Sequence, residues 1–159
     1  MLSGIVYVQR ITDPRMAATP HRNLLIFEEL TGHRGTKNVI LATTMWDKLH
    51  PKLDDGSKRE KGLKDEYWNV MIHHGAGVDR FLNTSDSAWS IVNNVVIKSG
   101  HKAGLLFQKE RVDQGKCLKA TSAGEAVGLN LDRLIDRQNR RMRAGRKTWG
   151  PPLGIFGKI

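Results

Sequence analysis

Asn38-Val-Ile-Leu-Ala-Thr-Thr44, followed at once by Met45-Trp-Asp-Lys48, places four consecutive apolar residues inside a short run that ends in two threonines. The run lacks the apolar–polar alternation of a strand with one wet face, so it reads as a strand buried on both faces, the kind found in a parallel sheet. Working outward from it, Gly4-Ile-Val-Tyr-Val-Gln9 has the same β-branched and aromatic character and reads as a second such strand. Between the two, Leu24, Phe27 and Leu30 recur every three residues, which predicts a helix over about 21–30 that Gly32 and Gly35 close. After Lys48, the polar stretch 54–58 reads as a turn, and a helix is expected over about 58–73 with Leu63, Tyr67, Val70 and Met71 inward. This βαβα rhythm predicts an α/β fold, a helix-covered, mainly parallel sheet.

Farther along, Val78-Asp-Arg-Phe-Leu82 is a weak strand, and Ser85 or Asp86 could cap a helix over 88–97 that carries Trp89, Val92 and Val96. Residues 105–120 are expected to be helical, with Gly115 near the end, whereas 121–130 is too rich in glycine and asparagine for a clear assignment. A helix over 131–146 sets Leu131, Leu134, Ile135, Gln138 and Met142 on one side and arginines elsewhere. The expected organisation is a partial α/β domain over 1–98, a basic helical extension over 99–147 and an irregular, Gly- and Pro-rich tail over 148–159.

The 159 residues suit one globular unit with an ordinary core. A single cysteine, Cys117, excludes a disulfide framework and a thiolate cage, and points to a reducing compartment. No apolar run approaches a membrane span or the core of a signal peptide, so a cytoplasmic location is expected. Twenty-six basic residues against sixteen acidic ones give a net charge of +10, an attraction to polyanions that names none of them. Residues 131–147 concentrate seven of the basic side chains against Asp132 and Asp136. Without an aromatic residue on that helix, a base-stacking platform for single strands is missing. The histidines show no ligand spacing, since His73 and His74 are adjacent and so point apart on a helix. No metal ligands and no catalytic residues are assigned.

In open α/β sheets, ligands sit beyond the carboxyl ends of the strands. Asp13, Asp47 and the loop 83–87 occupy those places. A carboxylate at Asp47, three residues after the strand, can accept from the N1–H and exocyclic amine of guanine, a donor pair that adenine does not present. It could equally begin the next loop or cap a turn. Thr43-Thr-Met-Trp-Asp-Lys48 resembles the guanine-specificity motif N/T-K-x-D of P-loop GTPases, and the run from Gly4 to Ala88 is similar to fungal G-domain proteins related to the large GTPases. The resemblance implies the C-terminal half of a P-loop NTPase-like G domain, with a base site of Thr44, Met45, Trp46 and Asp47. Asn83, Thr84 and Ser85 then stand for the later loop that supports the aspartate. GTP or GDP is the implied ligand, held weakly or only vestigially, and Mg2+ belongs only to a complete domain.

Two sequence facts limit the implied activity. Met45 stands where the family has lysine, and neither G-x-x-x-x-G-K-[ST] nor Asp-x-x-Gly occurs in the chain. Phosphoryl transfer relies on those segments for positioning and charge stabilisation. A catalytically incomplete, guanine-nucleotide-binding fragment is therefore expected, truncated in the gene model or in the protein itself. One alternative is a basic interaction module that binds nucleic acid, an acidic protein or a phosphate surface through Arg137–Lys147. Another is a product without a separate task, for which an exposed sheet edge and apolar face are expected. By itself the 159-residue chain should not release phosphate from GTP above background, and turnover that co-purifies with it and disappears in Asp47→Ala would overturn that expectation.

Overall fold

The computed structural model describes residues 4–13, 18–49, 53–99 and 104–148. Three strands, β1 (Ile5–Arg10), β2 (Val39–Thr44) and β3 (Gly77–Arg80), form one sheet in the order β1-β2-β3, with both neighbouring pairs parallel. Ile5 stands opposite Val39 and Ile40 opposite Gly77. The expected strands are thus parallel neighbours, and the weak segment after Gly77 is the third.

Alternation along β2 divides the core. Val39 and Leu41 face one layer, together with Leu24 of α1 (Ala18–Gly35) and with Trp46, Leu63, Trp68 and Met71. Ile40 and Ala42 face the other, where α4 (Ser85–Lys98) supplies Ile91 and Val95. Both faces of β2 are therefore covered, which is why its sequence is apolar without alternation.

The connection from β2 to β3 differs from the single helix expected. A helix α2 (Leu53–Gly62) begins earlier, through the polar residues assigned to a turn, with Asp54 and Asp55 in its first turn, where acidic side chains are favourable. A Cβ at Gly56 would come within 2.4 Å of Leu49 and 3.0 Å of Trp46, so glycine lets the helix lie directly on that layer. A wide turn over Leu63–Tyr67 follows, with Trp68 N–H donating to the Leu63 carbonyl at 2.8 Å, and then α3 (Asn69–His73). The extra residue in this turn shifts the helical phase. Leu63, Trp68 and Met71 face the core as a result, while Val70, expected inward, is exposed.

Thr84, rather than Ser85 or Asp86, caps α4. Its hydroxyl accepts from Ser87 N–H, and the Ser87 hydroxyl accepts from Thr84 N–H in return. The face assigned to Trp89, Val92 and Val96 is real but not buried. Asn94 donates to Asp79 of β3 and Lys98 to the Gly75 carbonyl, so those residues point to the β3 side. Val95 lies over Gly4 at the start of β1. Val92, Val96 and Trp89 are turned one step farther round the helix, on the flank toward β1. Val6 and Val8 of β1 are 37% and 57% exposed, beside an edge of β1 that no other described strand covers.

Residues 105–120 form a short α5 (Leu106–Gln108), a wide turn through Asp113, a left-handed Gly115 (φ 63°) and a single 3-10 turn, rather than one helix. The doubtful segment 121–130 belongs to α6 (Ser122–Thr148), a helix of 27 residues that packs on α1 near its start. Glu110 is buried and accepts from Ser122 N–H and hydroxyl and from Lys116, and the lysine above all holds its carboxyl below the usual range. The tail beyond 148 lies outside the described residues.

A second buried carboxylate joins α2 to β3. Burial alone would push the Glu60 carboxyl up, but the Arg80 fork and Lys64 hold it below the ordinary glutamate range. A lowered folded-state value means that the contribution to stability is present above the unfolded glutamate value and lost as the pH falls. Glu60→Gln should lower the unfolding free energy at pH 7 by about 2 kcal/mol. In urea titrations the difference from the parent should shrink below about pH 4, where the parent carboxylate also takes up its proton.

Candidate functional site

The carboxyl ends of β2 and β3 open onto a cleft of about 620 Å3. Its floor is apolar, made by Val6 and Val8 of β1, Ala42, Phe81, and Ala88 and Ile91 of α4. Its polar rim comes from the two loops after the strands: Thr44, Met45, Asp47 and Lys48 from one, Asn83 from the other.

Both loops are held in uncommon backbone states at the cleft. Met45 has φ 66° and Asn83 φ 59°, and among the described residues they are the only non-glycine positions with positive φ. The left-handed region costs a residue with a Cβ about 1 kcal/mol, less for asparagine, and such positions gather where a site demands them. Immediately after Met45, the single turn Trp46–Leu49 lifts Asp47 to the rim, where Lys48 lies 3.6 Å from its carboxylate. Both side chains are exposed, so this ion pair is weak and open to exchange for a ligand.

Of the expected base-site residues, Thr44, Met45, Asp47 and Asn83 meet at the cleft. Trp46, expected there as well, is buried in the opposite layer. Its indole N–H donates to the Thr43 hydroxyl at 3.0 Å, and the Arg80 guanidinium lies 4.2 Å above its ring. Thr84 and Ser85 are not among the lining residues, and the Thr84 hydroxyl is engaged in the cap of α4. Asp13 pairs with Arg10 at 3.4 Å and does not reach the cleft. Sequence reasoning assigned none of the apolar floor to the site, and among the residues it missed are Lys48 on the rim and Phe81 in the floor. Their places follow from the turn at 46–49 and from the Phe81 N–H to Thr43 carbonyl bond that prolongs β3.

Elsewhere, His33 and His74 bring their Nδ1 atoms to 3.3 Å, a pairing across 41 residues that spacing could not foretell. Among the described residues, no group of three or more His, Cys, Asp or Glu is placed to hold a metal, and no helix is long and apolar enough to cross a membrane. Compared with protein-family models, curated proteins and solved structures, the chain matches none. The site therefore has to be interpreted from its own geometry.

The backbone at Met45 permits a direct check. Met45→Gly removes a Cβ from the left-handed region at an exposed position and should raise the unfolding free energy by about 0.5–1 kcal/mol. Met45→Val should lower it by about 1 kcal/mol or more, because a branched Cβ suits that region least. Urea denaturation of the three proteins side by side gives the order.

Proposed function

We propose that the cleft binds a guanine base, as the base-reading part of a GTPase-like nucleotide site. The observation that carries this reading is the convergence of two left-handed, non-glycine residues, Met45 and Asn83, with Asp47 at the carboxyl ends of adjacent parallel strands. Backbone strain in both loops, directed at one cleft, marks a place where shape matters more than local comfort.

In this reading each group has a task. The Asp47 carboxylate accepts from guanine N1–H and the exocyclic amine. The flexible Met45 side chain, 42% exposed, lies against the base plane as a polarizable apolar contact. The Asn83 side-chain amide N–H donates to the guanine carbonyl from the opposite loop. The consecutive order of three parallel strands is also what the second half of a G-domain sheet requires.

Among the described residues the lining offers phosphate groups Lys48 as its one cation, and the sequence carries no G-x-x-x-x-G-K-[ST] loop of the kind that dominates nucleotide affinity. Base contacts and a partial stack must offset the cost of immobilising the ligand, which leaves a dissociation constant of about 1 mM or weaker. In ligand-detected NMR at about 0.3 M salt, where long-range attraction to a strongly basic protein is screened, guanosine and GTP should bind about equally. ATP should bind more weakly, and Asp47→Ala should remove the preference. Equal binding of guanosine and adenosine would remove the guanine assignment, and micromolar GTP would reveal a phosphate site elsewhere.

A further inference from the structure

Beyond its base on α1, helix α6 leaves the body of the protein. All thirteen residues from 131 to 143 are exposed. The exposed side chains are not mixed. At 100° per residue, Leu131, Leu134, Ile135 and Met142 fall within an arc of about 100°, prolonged toward the body by the exposed Val127. Arg137 and Arg141 border this arc on one side, and Arg133, Arg140 and Arg143 occupy the far side, against two acids, Asp132 and Asp136.

Any occupant of this helix has to satisfy both halves at once. Nucleic acid would pair with the arginines but leave the apolar arc in water, and the helix has no aromatic residue to stack on a base. A second copy would cover the arc while bringing two strongly basic chains together. A bilayer rich in acidic phospholipid matches both, because acyl chains accept the leucines and headgroup phosphates meet the arginines at the border. The sequence after the helix adds Trp149, Leu153, Ile155 and Phe156, residue types that favour the membrane interface. From this charge and apolar complementarity we propose that residues 131–143 of α6 dock the protein, peripherally and reversibly, on an anionic membrane surface. The proposal goes beyond base binding and does not depend on it.

The test is co-sedimentation of the full chain with vesicles of equimolar phosphatidylserine and phosphatidylcholine, and with phosphatidylcholine alone, at about 0.1 M and about 0.5 M salt. The chain should partition onto the acidic vesicles, release at the higher salt and ignore the neutral ones. Leu134→Gln with Ile135→Gln, which leaves the charge unchanged, should weaken partitioning by about a hundredfold. Arg137→Gln with Arg141→Gln should weaken it by about thirtyfold. All four side chains are exposed, and circular dichroism confirms that the variants remain folded. Failure to partition overturns the proposal. Undiminished binding of the Leu134→Gln, Ile135→Gln protein does so too, because the contact would then be purely with charge. A lipid-free dimer in sedimentation equilibrium that this double variant dissolves assigns the arc to a second copy instead.

Discussion

A strand with both faces and both edges buried places the strictest demand on this fold. From Val39 to Thr43, β2 is sealed from solvent, so its backbone must find partners in β1 and β3, and its side chains must find helices above and below. The parallel order, the split into two apolar layers and the position of the cleft all follow. Because β1, β2 and β3 run the same way, their carboxyl ends lie together, and the loops after β2 and β3 are brought side by side although nearly 40 residues separate them in the chain.

What could be read in the sequence was what burial writes there. The apolar runs of β1 and β2 were legible because a strand covered on both sides has no use for polar alternation. The beginning of α2 was not, because Asp54-Asp-Gly-Ser is polar and glycine-bearing like a turn. Its helical state depends on a close approach of Gly56 to Trp46 and Leu49 that only the folded structure supplies. Gly124 disguised the start of α6 in the same way. A Cβ there would meet the Leu118 carbonyl oxygen, so the residue that looked like a helix breaker is the one that lets the helix begin. Asp47 and Asn83 were found by position relative to the strands, a rule of topology, whereas Thr44 and Met45 were named only through the resemblance to the guanine-specificity motif. Trp46 was misplaced because its direction is set by Thr43 and Arg80, and the Arg80 partner comes from a strand 34 residues later.

The two buried carboxylates divide the work of holding the peripheral elements. Glu60 ties α2 to β3 and, through Arg80, keeps Trp46 in the layer away from the cleft, so the charge network and the rim of the site are mechanically connected. Glu110 holds the first turn of α6, where Thr121 also receives the Gly124 N–H. In both cases a charge is taken from water only where several donors meet it, which makes its position specific.

The manner in which α6 is fastened has a mechanical consequence. A helix of 27 residues is about 40 Å long, and its ties to the rest of the protein lie near one end. That length makes the helix a lever: a change of about 10° in its angle to α1 would displace the far end by about 7 Å. The placing of the arginines relative to the cleft therefore depends on how α6 is seated on α1.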